Sequence, residues 1–193
     1  MAQKSKTDKI AASQSTSPAA AWEHLQKLIG DTQVAMLTTV ENDHYLRSRP
    51  MMTQSSNEAG VLWFFTEDHD GKAGELELDP RVNLSYSKPE SQQYVSVSGL
   101  AEVVHDEEKK QALWKPAYKA WFPEGVDAPH LALLKVYIEK AEFWDAPASA
   151  WVEVVGFAKA LLSGKRYKFS KQNHDTIDLS KNPGLTDAVS SPS

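Results

Sequence analysis

The chain has 193 residues, enough for one good hydrophobic core or two small ones. A formal net charge of −5 argues against a nucleic-acid binder, and the lack of cysteine excludes disulfides, thiolate chemistry and cysteine-based zinc sites. No apolar run approaches bilayer-spanning length and the N-terminal stretch lacks a secretory apolar segment, so a cytoplasmic protein with no membrane or nucleic-acid partner is expected.

Residues 1–16 are rich in Ser, Lys, Gln and Ala without periodicity and read as a disordered arm. One domain is expected over 17–179, and residues 180–193 read as a flexible tail. The first predicted element is a helix capped by Ser17, with Pro18 at its first position, an apolar stripe of Trp22, Leu25, Leu28 and Ile29, and a stop at Gly30. "QVAMLTTV" then reads as a buried strand, "ENDH" as a turn and "YLRSRPMMT" as the return strand. After the turn "SSNEAG" come the strand "VLWFFT", a short helix "GKAGELEL" and the strand "PRVNLSYS". "QQYVSVSGLAEVV" is a long strand whose Gly99 suits a bulge or bend. "DEEKKQALWKPAYKAWF" looks helical but kinked or split at Pro116, and its start "DEEKK" reads as solvated, with the acids complementing the helix dipole. "LLKVYIEKAEFWDA" is a late strand, and "WVEVVGFAKALLSGK" reads as a helix ended by Gly164. Successive antiparallel strands with few helices between them predict a mainly β fold, a small barrel with peripheral α-helices.

The stretch "LRSRPMMTQ" places Arg47 and Arg49 on one face of a strand, where unpartnered guanidinium groups are rarely buried. One strand further, Thr66 ends an apolar run and Lys72 opens a helix, whose free N–H groups attract phosphate. Arg49, Thr66 and Lys72 could therefore converge on one phosphate. The plainer alternative is that both arginines pair with surface carboxylates and that Lys72 is solvated.

The order "RPMM", "WFFT", "GKAGELELDPRVNLSY", "VSVSGLAEVV" and "AEFWD" resembles the pyridoxamine 5′-phosphate oxidase-like family, the FMN-binding split β-barrels, over roughly residues 20–168. Within it, the chain is most similar to the general stress protein group of small flavin-binding bacterial proteins. The resemblance implies FMN as cofactor, with FAD as an alternative, bound in a homodimer. By the family pattern, Arg49, Thr66 and Lys72 match phosphate ligands. Pro50, Met51 and Met52 would line the flavin ring through backbone groups, and Phe65 would offer backbone contacts near the ribityl chain or ring. Trp144, with Gln93 and Tyr94, would approach from the second subunit. Arg47 matches no phosphate ligand and is expected at the rim or in an ion pair with a nearby carboxylate such as Glu67 or Asp68, while Arg49→Ala is expected to leave the fold intact.

Two departures from the family pattern bear on function. The Ser-Arg pair that precedes the lysine in the oxidases is Asp70-Gly71 here, which reduces the phosphate donors. The C-terminal arginine and histidine that hold the vitamin B6 substrate have no clear match after Trp144. A flavin-binding stress protein without genuine pyridoxamine phosphate oxidase activity is therefore expected. The alternative is an FMN-dependent oxidoreductase acting on an unknown small substrate, with a reduced nicotinamide or oxygen as redox partner; no catalytic residue is assigned. The six histidines show no metal-ligand spacing, so no metal is expected, and only His69 stands where it could touch a ligand. Trp22, Trp114 and Trp121 read as helix packing, and Trp63 as facing the barrel core or a dimer seam.

Overall fold

The computed structural model describes residues 18–55, 58–69, 71–145 and 174–179. The expected arm, the tail, the Ser17 cap, Asp70 and the helix ended by Gly164 lie outside them. The described elements run α1 (Pro18–Thr32), β1 (Val34–Val40), β2 (Leu46–Gln54), β3 (Val61–Glu67), α2 (Gly71–Leu78), β4 (Arg81–Lys88), β5 (Gln93–Val104), α3 (Glu107–Leu113), β6 (Leu131–Trp144) and β7 (His174–Asp178). A separate 3-10 turn at Pro116–Ala120 follows α3, so the segment is split at Pro116 rather than kinked. No helix among the described residues is long and apolar enough to cross a membrane.

All strand pairings are antiparallel, in the order β3-β2-β1-β4-β5-β6-β7, and β3 also pairs with β6. That pairing closes six strands into a barrel, which removes most free edges. Alternation explains the interior. Leu37 of β1, Leu84 and Tyr86 of β4, Val97 of β5 and Val136 and Ile138 of β6 point inward and are buried. Leu25, Leu28 and Ile29 of α1 join the same cluster. Burying such a side chain is worth about 1.5–3 kcal/mol. The apolar run of β3 is buried on both faces. Leu62 and Phe64 enter the barrel, while Val61, Trp63 and Phe65 face outward into a second cluster with Tyr118, Trp114 and Phe122. Trp63 thus packs in the outer cluster rather than the barrel core; its indole N–H donates to Glu58, and Lys109 and Lys135 lie over its ring. Trp121 is 63% exposed and is not a packing residue.

Two local irregularities depend on long-range contacts. Helix α1 runs through Gly30 to Thr32 and ends at Gln33, which takes a left-handed φ of 61°. The Gln33 amide donates to Ile29, and its carbonyl accepts from the Thr53 amide at 2.8 Å, so β2 fixes where the helix stops. In β6, Glu139 is the extra residue of a bulge: Ser98 faces Lys140 while Gly99 faces Ile138. A Cβ at Gly99 would lie 2.0 Å from the Tyr137 carbonyl oxygen. The atom met is backbone and cannot swing away, so Gly99→Ala is expected to cost about 1–3 kcal/mol through forced backbone shifts. Urea unfolding of the variant checks this; an unchanged midpoint would contradict the close approach.

Candidate functional site

Among the described residues, the shortest pairing in the barrel is that between β2 and β3. These strands pair only at Thr53 with Phe64 and Gln54 with Trp63. From Leu46 to Met52, β2 has no strand partner on that side among the described residues, and neither has the end of β3 beyond Phe64. Pro50 pairs with Met36 of β1 yet has no N–H to give, which suits a strand whose other edge is open. Within this stretch Met51 packs on the barrel core and Met52 on the second cluster, while Pro50 is exposed. Gln54 seals the base: its amide donates to the Met52 carbonyl at 2.9 Å and accepts the Tyr118 hydroxyl at 2.6 Å.

Arg47 and Arg49 share the β2 face that looks towards α2. The Arg49 Nη1 donates to Thr39 Oγ1 at 2.7 Å and its Nη2 to Glu75 Oε1. The same Thr39 hydroxyl donates to Glu75 Oε2 at 2.6 Å. Burial pushes the Glu75 carboxyl up, but the hydrogen bonds from Arg49 and Thr39 outweigh it and hold the group below its ordinary range. Arg47 sits 3.1 Å from Glu41 and 3.9 Å from Glu75. Its partner is thus a carboxylate at the end of its own hairpin rather than Glu67 or Asp68. Arg49 is likewise more than a pocket residue, because a buried carboxylate depends on it. Sequence reading missed Thr39 and Glu75; a polar residue in an apolar strand and a glutamate one turn after a lysine were the available signals.

Lys72, the second residue of α2, is buried. Burial and then the Arg49 charge push its amine down to about 8, against the opposite pull of Glu75 and Glu67. Spaced i,i+3 on one short helix, Lys72 and Glu75 face the same side, so Arg49 and Lys72 meet around one carboxylate. Thr66 ends β3 and is buried, with its hydroxyl 3.4 Å from the Glu67 carbonyl. The Phe65 ring packs edge-on to Trp114 at 5.5 Å, which leaves only its backbone towards the gap.

The expected second-subunit residues lie elsewhere on the barrel. Tyr94 of β5 is paired with Trp144 of β6, and both side chains are about two-fifths exposed, at 41% and 39%. Gln93 donates to Asp145 at 3.1 Å and accepts from Ser91. Their outer face continues through Ser85, Ser87, Ser96 and Ser98 to the exposed Met36 and Val34 of β1. A cleft of about 620 Å³ lies between α2 and the β1–β2 turn and shares Glu75 with the Arg49–Lys72 cluster. It is lined by Glu41, Asp43, Glu75 and Glu77 with Asn42, Gly71, Gly74 and Leu78. Its carboxylates repel phosphate, which leaves the Arg49–Lys72 side of Glu75 as the cationic one.

Residues 20–168 match the family model described as "Pyridoxamine 5'-phosphate oxidase like". Protein bli-3 of Neurospora crassa is 26% identical over 151 residues, covering 73% of this chain and 72% of that protein. The crystal structure of a candidate general stress protein 26 from Jannaschia sp. CCS1 superposes with a TM-score of 0.65 at 22% identity, over 83% of this chain and 99% of that one, and shows the split-barrel fold. The general stress FMN/FAD binding protein of Xanthomonas citri is 28% identical, with a TM-score of 0.57, over 66% of this chain and 90% of that one. With a family model spanning most of a closed six-stranded barrel, the chain belongs to the pyridoxamine 5′-phosphate oxidase-like family.

Proposed function

We propose that this chain is a flavin-binding general stress protein that holds FMN in a homodimer, over a domain spanning residues 17–179, without genuine pyridoxamine phosphate oxidase activity. The observation that carries the reading is the meeting of Arg49 and Lys72 beside the largely unpaired β2–β3 edge. Burial, and then the Arg49 charge, hold Lys72 well below its ordinary range in spite of two nearby carboxylates. A phosphate dianion would favour the charged amine, and Arg49 uses only two of its five N–H donors on Thr39 and Glu75. The residues present therefore fit a flavin phosphate. Arg49, Lys72, Thr66 and the first turn of α2 would hold it, and the unpaired β2 edge from Pro50 to Met52, with the Phe65 backbone, would run beside the rest of the cofactor. When bound, the flavin itself supplies the capacity to accept and donate electrons. The protein orients it and limits solvent access.

The similarity to an FMN/FAD binding protein supports the cofactor class. The exposed Val34, Met36, Tyr94 and Trp144 on a face otherwise rich in serine support the dimer, because a second barrel laid there would cover them. Trp144, Tyr94 and Gln93 would then reach the partner's flavin. The test is direct. Purified protein should be yellow, release FMN on denaturation as read by mass spectrometry, and sediment at twice the chain mass. It should also fail to form pyridoxal 5′-phosphate from pyridoxamine 5′-phosphate. A colourless protein that does not take up added FMN would sink the flavin reading. A clean monomer with flavin bound would sink only the shared site.

A further inference from the structure

We propose that the barrel end formed by β3, β5 and β6 carries a surface site for a zinc-class divalent cation, ligated by Asp68, His69 and His130. The site is distinct from the proposed flavin site and does not depend on it. The β3–β6 ladder ends with Glu67 opposite Leu131, so the residues just after β3 and just before β6 must meet. They are Asp68 and His69 on one side and His130 on the other. The Asp68 amide donates to the His130 carbonyl at 3.0 Å, which ties the two segments together.

The side chains converge in turn. The His130 Nδ1 lies 3.3 Å from Asp68 Oδ1, and the His69 Nδ1 lies 3.5 Å from the same oxygen. The three ligand atoms all fall within 4.8 Å of one another. Ligand atoms at the ordinary zinc distances of about 2.0–2.2 Å stand about 3.3 Å apart along a tetrahedral edge. Two of the separations thus already match a shared ion, and small rotations of exposed rings suffice for the third. The two rings stand edge to face with centroids 4.6 Å apart. His105, just after β5, brings its Nε2 to 3.7 Å from the other carboxylate oxygen, Asp68 Oδ2. Two imidazoles and one carboxylate suit Zn²⁺, Ni²⁺ or Cu²⁺ rather than Mg²⁺ or Ca²⁺, which prefer oxygen. The histidines are more than half exposed, at 59% and 64%, so the ion enters from solvent and a fourth position stays open to water.

The full chain, without an affinity tag and stripped with chelator, is titrated with Zn²⁺ against a chromogenic indicator. Co²⁺ uptake is read in parallel by its visible absorption. We expect one ion per chain and a cobalt spectrum of four-coordinate type. His69→Ala and His130→Ala should each weaken binding at least about tenfold, as losses around metal sites do. Both positions are exposed, so the variants keep the fold, which circular dichroism checks. His24→Ala, whose ring packs on Phe143, should bind zinc like the parent. No zinc uptake at tens of micromolar protein, or uptake unchanged in both His69→Ala and His130→Ala, would overturn the site and leave these histidines as ion-pair partners of Asp68.

Discussion

Apoprotein titrated with FMN and riboflavin is expected to bind FMN about a hundredfold more tightly. The two flavins differ only in the phosphate. Hydrogen bonds to charged groups contribute about 1.5–3 kcal/mol each, so contacts from Arg49 and Lys72 total at least about 3 kcal/mol. That free energy corresponds to a factor on the order of a hundred in affinity. The preference should also depend on pH. In the free protein Lys72 titrates at about 8, and a bound phosphate returns it towards its ordinary 10.5. Below 8 the amine is already charged and binding needs no proton. Above 8 the free protein has lost that proton and must regain it to bind. FMN affinity should therefore fall about tenfold between pH 7 and pH 9, while riboflavin affinity stays level. Equal affinity for both flavins at pH 7 would mean that the pocket does not read phosphate.

Arg49→Ala is expected to destabilise the fold by about 3–5 kcal/mol, a large part of the stability of a typical domain. The variant leaves the buried Glu75 carboxylate with Thr39, with the Lys72 charge one turn away on α2 and, at 3.9 Å, with the exposed Arg47, none of which replaces the short Arg49 contact. The cost comes from the stranded charge rather than from lost packing. Arg49→Ala combined with Glu75→Gln should therefore lose much less than the sum of the single variants, as coupled neighbours do. The pair's stabilisation has a pH window. Glu75 is held below its ordinary 4.5, so the contribution is whole at neutral pH and is lost as pH falls through that range and below. Urea midpoints of the three variants at pH 7, and of the parent on acidification, provide the measurement. An Arg49→Ala midpoint equal to the parent's would show that Glu75 finds another partner. Flavin titrations on this variant should be read only where it is folded.

The strands and short helices of the barrel were legible because their signals are local. Alternation marks β1, β4 and β5, turn residues separate β1 from β2, and Asp106 caps α3 by accepting the Lys109 amide at 2.9 Å. Even Gly99 announced the break at which β6 bulges. The family pattern also located the elements that carry the candidate flavin residues. Strand β7 went unseen because five residues with one buried apolar side chain, Ile177, have no period to read; pairing with β6 makes them a strand.

Sequence by itself determined the composition of the layers: which residues alternate, where chains turn, and that one barrel with peripheral helices would form. Only the tertiary structure decided which charges meet. Arg49 and Glu75 are 26 residues apart and Asp68 and His130 are 62 apart, and neither pair has a spacing rule. Closure of β3 on β6 brings 68 to 130, and the packing of α2 across the face of β1 and β2 sets Glu75 against Arg49 and Thr39. Trp63 shows the same limit, since one apolar run serves two cores and only the position of residues 113–122 assigns it to the outer one. Periodicity reports which side of a strand is apolar, while long-range pairing decides what lies on that side.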